Sequence, residues 1–113
     1  MSYSVVAGTP IRFDTSAKPF TSFAGTIVTP DTVTFKYQVQ GQTEVSYTWT
    51  NPTGDPSNVI QNYGVGLFYA IIQTTGLAGT WTYQWSCAPS SGTDTTKTQT
   101  FWDSEVVVSP AAL

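Results

Sequence analysis

Apolar and polar side chains alternate over most of the chain, and the alternation is cleanest between Gly79 and Cys87. Trp81, Tyr83, Trp85 and Cys87 take every second position there, with Thr80, Thr82, Gln84 and Ser86 between them. Successive side chains project to opposite faces of a strand, whereas a helix would scatter this set around its circumference. The period therefore predicts a half-buried β-strand. Its rings bury roughly 150–250 Å² apiece and require a second apolar layer to cover them.

The same period predicts further strands. Ile11, Phe13, Thr15 and Ala17 alternate with Arg12, Asp14 and Ser16, and Val33, Phe35, Tyr37 and Val39 with Thr34, Lys36 and Gln38. Val45, Tyr47 and Trp49 form a third set, and Trp102, Ser104, Val106 and Val108 a last one, opposite Phe101, Asp103 and Glu105. Val5-Val6 predicts a short edge segment. Gly41-Gln42 predicts a two-residue hairpin turn that starts with glycine. Lys18–Gly25, the proline-rich segment from Asn51 to Asn62 and Ala88–Asp94 predict loops. One stretch, Val65–Thr74, breaks the alternation: Leu67, Phe68, Tyr69, Ala70, Ile71 and Ile72 are apolar without interruption, the pattern of a strand covered on both faces. About seven strands, no helix and regularly spaced turn signals predict an all-β fold, an antiparallel β-sandwich. Residues 1–113 are expected to form one such domain with short flexible termini.

Composition narrows the chemistry. Charged residues make up 10% of the chain, against roughly 25% in an average globular protein, and Thr and Ser stand in their place. So few charges do little to keep neighbouring molecules apart, which favours a protein that works assembled. Net charge is -3, and the cations Arg12, Lys18, Lys36 and Lys97 are scattered, so no basic patch for nucleic acid is expected. There is no histidine, which removes the usual general base and the commonest metal ligand. The single cysteine, Cys87, allows neither an intrachain disulfide nor thiolate zinc; it continues the inward face as a structural thiol. No phosphate-cradling glycine loop occurs, and no apolar run reaches membrane-spanning length. Small secreted domains usually carry several disulfides, so a single cysteine predicts synthesis in a reducing cytoplasm, and Met1–Ala7 lacks the charged and apolar regions of a secretion signal. Asp103 and Glu105 read as edge-strand protection, and Asp55 and Asp94 lack the spaced acidic neighbours of a calcium loop. No catalytic, metal or cofactor residue is assigned, and the chain is expected not to be an enzyme.

Gly66-Leu-Phe-Tyr-Ala70 followed by Gly79-Thr-Trp-Thr-Tyr-Gln-Trp85 resembles a strand pair of small immunoglobulin-like domains in the virion proteins of tailed bacteriophages. Gly8-Thr-Pro-Ile-Arg-Phe13, Thr29-Pro-Asp-Thr-Val-Thr34 and the closing valines before Ser109-Pro110 are similar to the same pattern. The resemblance covers most of the chain and its motifs are structural. It implies an immunoglobulin-like sandwich and a non-enzymatic virion role: a capsid decoration (cement) protein on the major capsid lattice, or a neck or tail accessory. The implied partners are the major capsid protein, other virion proteins or copies of the chain itself, with no nucleic acid and no membrane. The implied location is the capsid surface or head–tail region.

If Phe68, Ala70 and Ile72 face the core, then Leu67, Tyr69 and Ile71 point outward. That row is either a partner surface or is covered by Phe20–Phe23 or the Asn51 loop. Trp49 and Trp102 complete the candidate interface. The alternative is a host-surface glycan- or protein-binding module that uses Trp49, Asn51, Asp55, Tyr63 and Trp102.

Overall fold

A computed structural model gives the fold. It describes residues 3–16, 18–51, 53–88, 99–102 and 106–110, with side chains for all of these save residues 3, 4, 99–102 and 106. The described residues form nine strands: β1 (Tyr3–Val6), β2 (Ile11–Asp14), β3 (Thr32–Val39), β4 (Val45–Thr50), β5 (Ile60–Gly64), β6 (Leu67–Ile72), β7 (Gly79–Ala88), β8 (Gln99–Trp102) and β9 (Val106–Ser109). They divide into two sheets, one in the order β1-β9-β7-β3-β4 with β8 also paired to β7, the other in the order β2-β6-β5. The protein is an all-β sandwich.

β7 organises the larger sheet, as the aromatic period requires. It lies antiparallel to β3 from Thr32↔Ala88 to Val39↔Trp81, and its other flank takes β9 at Gly79–Trp81 and β8 at Gln84–Cys87. Every second residue of β3 (Val33, Phe35, Tyr37 and Val39) is buried, as are Trp81, Trp85 and Cys87 of β7. The smaller sheet answers with Ile11, Phe13, Ile60, Phe68, Ala70 and Ile72. Rings mesh between the layers, with Phe13 4.5 Å from Tyr83 and 5.1 Å from Phe35, and within the larger sheet Tyr37 stacks on Trp81 at 5.0 Å. Such pairs contribute about 0.5–1.5 kcal/mol each beyond the area they bury.

Three features depart from the sequence expectation. The loop before β6 is shorter than expected, because Ile60–Gly64 pairs with β6 as an additional strand. Only Ile60 of that strand is buried, and a register shift lies between Asn62 and Gly64, so no alternation marks it. The β3–β4 connection is not a two-residue hairpin. Gln42 N–H bonds Val39 C=O at 2.9 Å, which puts Gly41 (φ 83°) third in its turn, and the strands rejoin only at Tyr37↔Val45. Finally, β1 runs parallel to β9, so the sandwich is antiparallel except along that flank.

Between β2 and β3 the chain plugs one end of the core. Phe20 is fully buried, with its ring 5.8 Å from Phe68 in an edge contact. The β5–β6 turn holds this loop in place. Gly66 N–H donates to Thr29 Oγ1 at 3.0 Å, and Gly66 C=O accepts from Phe20 N–H at 3.4 Å and from the Thr15 hydroxyl at 3.3 Å. Gly66 has φ 68°, and a Cβ there would lie 2.8 Å from Ile27 Cγ2 and 3.0 Å from Val28 O; glycine is required.

Candidate functional site

Pairing register decides what the outer surface of the smaller sheet presents. Arg12 sits opposite Ile71, Asp14 opposite Tyr69, and Gln61 opposite Tyr69 on the other flank. With Phe68, Ala70 and Ile72 buried, Leu67, Tyr69 and Ile71 must project outward with Arg12 and Asp14. Leu67 and Tyr69 are half-buried, Ile71 is 48% exposed, and the β5–β6 turn adds Val65 at 62%. The Phe20–Phe23 segment does not account for the partial cover of Tyr69: Phe20 is spent on the core, and Phe23 is 83% exposed. Asn58 and Val59, at the end of the Asn51 loop, lie beside Tyr69 and Ile71.

Tyr69 is also covered by its own sheet. The Arg12 guanidinium lies 4.0 Å from the Tyr69 ring centroid and 5.2 Å from that of Tyr63. Its Nη2 and Nε reach Asp14 Oδ2 at 3.0 and 3.1 Å. The other carboxylate oxygen accepts from Tyr63 O–H at 2.5 Å and from Ser16 N–H at 2.8 Å. Partial burial alone would raise the Asp14 carboxyl, but the donors Tyr63, Ser16 and Arg12 together hold it below the usual range. Reciprocally, the bond to Asp14 raises both the Tyr63 phenol and the Arg12 guanidinium. Arg12, Asp14 and Tyr63 thus bond one another and form a charge-balanced aromatic surface.

Beside it lies a depression of about 380 Å³ lined by Asn58, Val59, Gln61, Tyr69 and Ile71. Asp55 fixes its rim. One carboxylate oxygen takes Ser57 N–H and O–H, and the other takes Val59 N–H at 3.0 Å and Ile60 N–H at 2.9 Å. Burial pushes the Asp55 carboxyl up, and these bonds more than offset it, so its pKa is lowered. Gln61 Nε2 closes the rim on Asn58, whose φ of 57° is the left-handed conformation that Asn tolerates.

The sequence-derived residues are therefore divided. Leu67, Tyr69 and Ile71 share one face with Tyr63. Trp49 does not join them: at 9% exposed it points inward, its ring 4.8 Å from Phe68 in an edge contact. Asn51 spends its N–H on Asp31 C=O, and Asp55 is a loop cap. The Trp102 side chain, Asp94, Asp103 and Glu105 lie outside the described residues. Sequence reasoning placed Arg12 and Asp14 on an outward face but saw no site there; the signal was a charged pair at i, i+2 in a chain otherwise poor in charge.

The opposite face of the sandwich is different in kind. Outward positions of β3, β4 and β7 carry Thr34, Lys36, Gln38, Ser46, Thr48, Thr82, Gln84 and Ser86, a flat, polar and nearly uncharged surface. Among the described residues no three metal-ligand side chains converge, and no helix is long and apolar enough to cross a membrane. Comparison with protein-family models and with curated proteins finds no match.

Proposed function

We propose that the protein is a non-enzymatic structural component of a tailed-phage particle. In this reading it is a decoration protein that docks on the major capsid lattice through the outer face of β2-β6-β5. The observation that carries the reading is the outward row on β6: Leu67, Tyr69 and Ile71, extended by Val65, on a sheet face stiffened by Arg12, Asp14 and Tyr63. An apolar row on a preorganised surface loses little side-chain entropy when it is covered. The sparse charge and the virion-protein resemblance of the strand motifs support the same reading. Many copies on one shell would let a modest interface suffice.

We further read the sandwich as immunoglobulin-like. In support, β2, β5 and β6 form one layer and β3, β4, β7 and β9 the other, the partition expected of strands B, D, E against C, C′, F, G. The glycan-binding alternative has less to stand on, since Trp49 is buried and Tyr63 is bonded to Asp14.

The test has two arms. Mass spectrometry of purified particles should find the chain at hundreds of copies on the capsid, a number set by lattice multiplicity. Shells lacking the protein should bind it, and Ile71→Asp should weaken that binding at least tenfold, about 1.4 kcal/mol, without lowering the melting temperature. Absence from particles, or full binding by Ile71→Asp, refutes the reading.

A further inference from the structure

The free edges of the two sheets are not alike. A strand edge is a row of unpaired N–H and C=O groups, and soluble proteins blunt it with charge, bulges or shortness. β2 is four residues long and carries Arg12 and Asp14; β5 has the shift at Asn62/Gly64, with Asn62 Nδ2 bonded to Gly64 C=O and Leu67 C=O. β1 and β8 have four residues each. β4, in contrast, has six residues, Val-Ser-Tyr-Thr-Trp-Thr, with no charge, no proline and unbroken register against β3.

The direction of its backbone groups is fixed by the bonds at its end. Thr50 N–H donates to Gly54 C=O at 3.1 Å, and Gly54 N–H donates to Thr50 C=O at 2.6 Å, so both Thr50 groups point away from β3. Asn51 N–H, one residue on, turns the other way to Asp31 C=O. Alternation then directs the N–H and C=O of Thr48 and Ser46 outward, and both residues are exposed. The Gly54 bridge closes the edge at Thr50, and among the described residues no other backbone group bonds the outward side of Val45–Trp49.

We propose that this edge pairs with the same edge of a second copy of the chain, antiparallel about a two-fold axis at Tyr47. One register uses all four open groups and only residues of β4. It places Ser46 opposite Thr48 of the second copy, and Thr48 opposite its Ser46, making four backbone hydrogen bonds. Tyr47 faces its own counterpart in the non-hydrogen-bonded position, and Val45 faces Trp49 of the second copy. No charge opposes a like charge, and the two larger sheets become one. The interface is isologous and closes on itself. It leaves the β2-β6-β5 face free, so it stands whether or not that face docks on a shell.

Sedimentation velocity across a dilution series tests it. The wild-type chain should show a concentration-dependent dimer. Ser46→Lys/Thr48→Lys, which sets cations opposite cations across the axis, should be monomeric with an unchanged melting curve. Thr48→Pro removes an outward N–H without touching the β3 ladder and should act likewise. Tyr47→Cys reads the register directly. Residues facing each other in a non-hydrogen-bonded pair have Cα atoms about 4.5 Å apart, within disulfide reach. Mild oxidation should therefore cross-link Tyr47→Cys into a covalent dimer, and Thr48→Cys far less, while buried Cys87 stays protected. A wild-type chain that is monomeric up to roughly 100 μM, where even weak pairing registers, overturns the proposal. So does a dimer that survives Ser46→Lys/Thr48→Lys, or equal cross-linking at positions 47 and 48.

Discussion

Removing one hydroxyl tests what holds the end of β2 against β6. Thr15 follows β2, is 3% exposed, and continues the β2–β6 ladder with its side chain as well as its backbone. Its Oγ1 accepts Phe68 N–H at 3.0 Å and donates to Gly66 C=O at 3.3 Å. Thr15→Val keeps the shape and leaves both groups to fend for themselves. Phe68 is fully buried, so its N–H bears a desolvation cost of about 1–3 kcal/mol. Gly66 C=O keeps Phe20 N–H and loses less, and the added methyl returns under about 1 kcal/mol. The expected net loss is about 2 kcal/mol. With an unfolding entropy near 2.1 cal/mol/K per residue, that lowers Tm by roughly 8 °C. Thr15→Ser retains the hydroxyl and gives up one methyl, about 1 kcal/mol. Calorimetry or urea titration on the three proteins decides the matter. If the serine variant is less stable than the valine variant, the hydroxyl bridge is not what holds this corner.

Further outcomes follow from the same accounting of buried groups. Trp81 Nε1 donates to Leu77 C=O at 2.8 Å, whereas Trp85 Nε1 is buried with no partner among the described residues. Trp81→Phe should therefore cost about 1–3 kcal/mol more than Trp85→Phe by urea titration, because only the first orphans a bonded group. Gly66→Ala forces a Cβ to within 3.0 Å of Val28 O at a positive φ, and circular dichroism should show a markedly lowered melting temperature. Asp55 and Asp14 have carboxyls lowered on folding, so their stabilisation is fully present above the unfolded value near pH 4 and is lost as pH falls through the folded values. Asp55→Asn should flatten the stability–pH curve below about pH 4, measured by urea midpoints, and should be less stable than the wild type at pH 7.

Much of the sandwich was legible because a two-sided sheet writes its faces into alternate residues. β3 follows that rule residue by residue and β7 at Trp81, Trp85 and Cys87, and the outward row on β6 could be read from its lack of alternation. What stayed hidden has physical causes. β5 is an edge strand with one buried residue and a bulge, so it presents no period. Phe20 lies in a loop with no pattern at all, and its burial depends on Gly66, some forty-six positions away, capturing its N–H. Trp49 sits on a half-buried strand, where alternation gives the face but not how deeply β6 covers it. The Arg12–Asp14–Tyr63–Tyr69 cluster draws on three strands, so only the pairing register brings it together.

The parallel pairing of β1 with β9 has a mechanical meaning. Tyr3 lies opposite Val106 and Val6 opposite Ser109, so the chain enters β1 at one end of the pair and leaves β9 at the other. Tension applied through residues flanking these two strands would run along the pair as shear and load its bonds together. They could not be peeled open one at a time. The flank where the sandwich departs from antiparallel order is thus the one built to resist a pull from both ends.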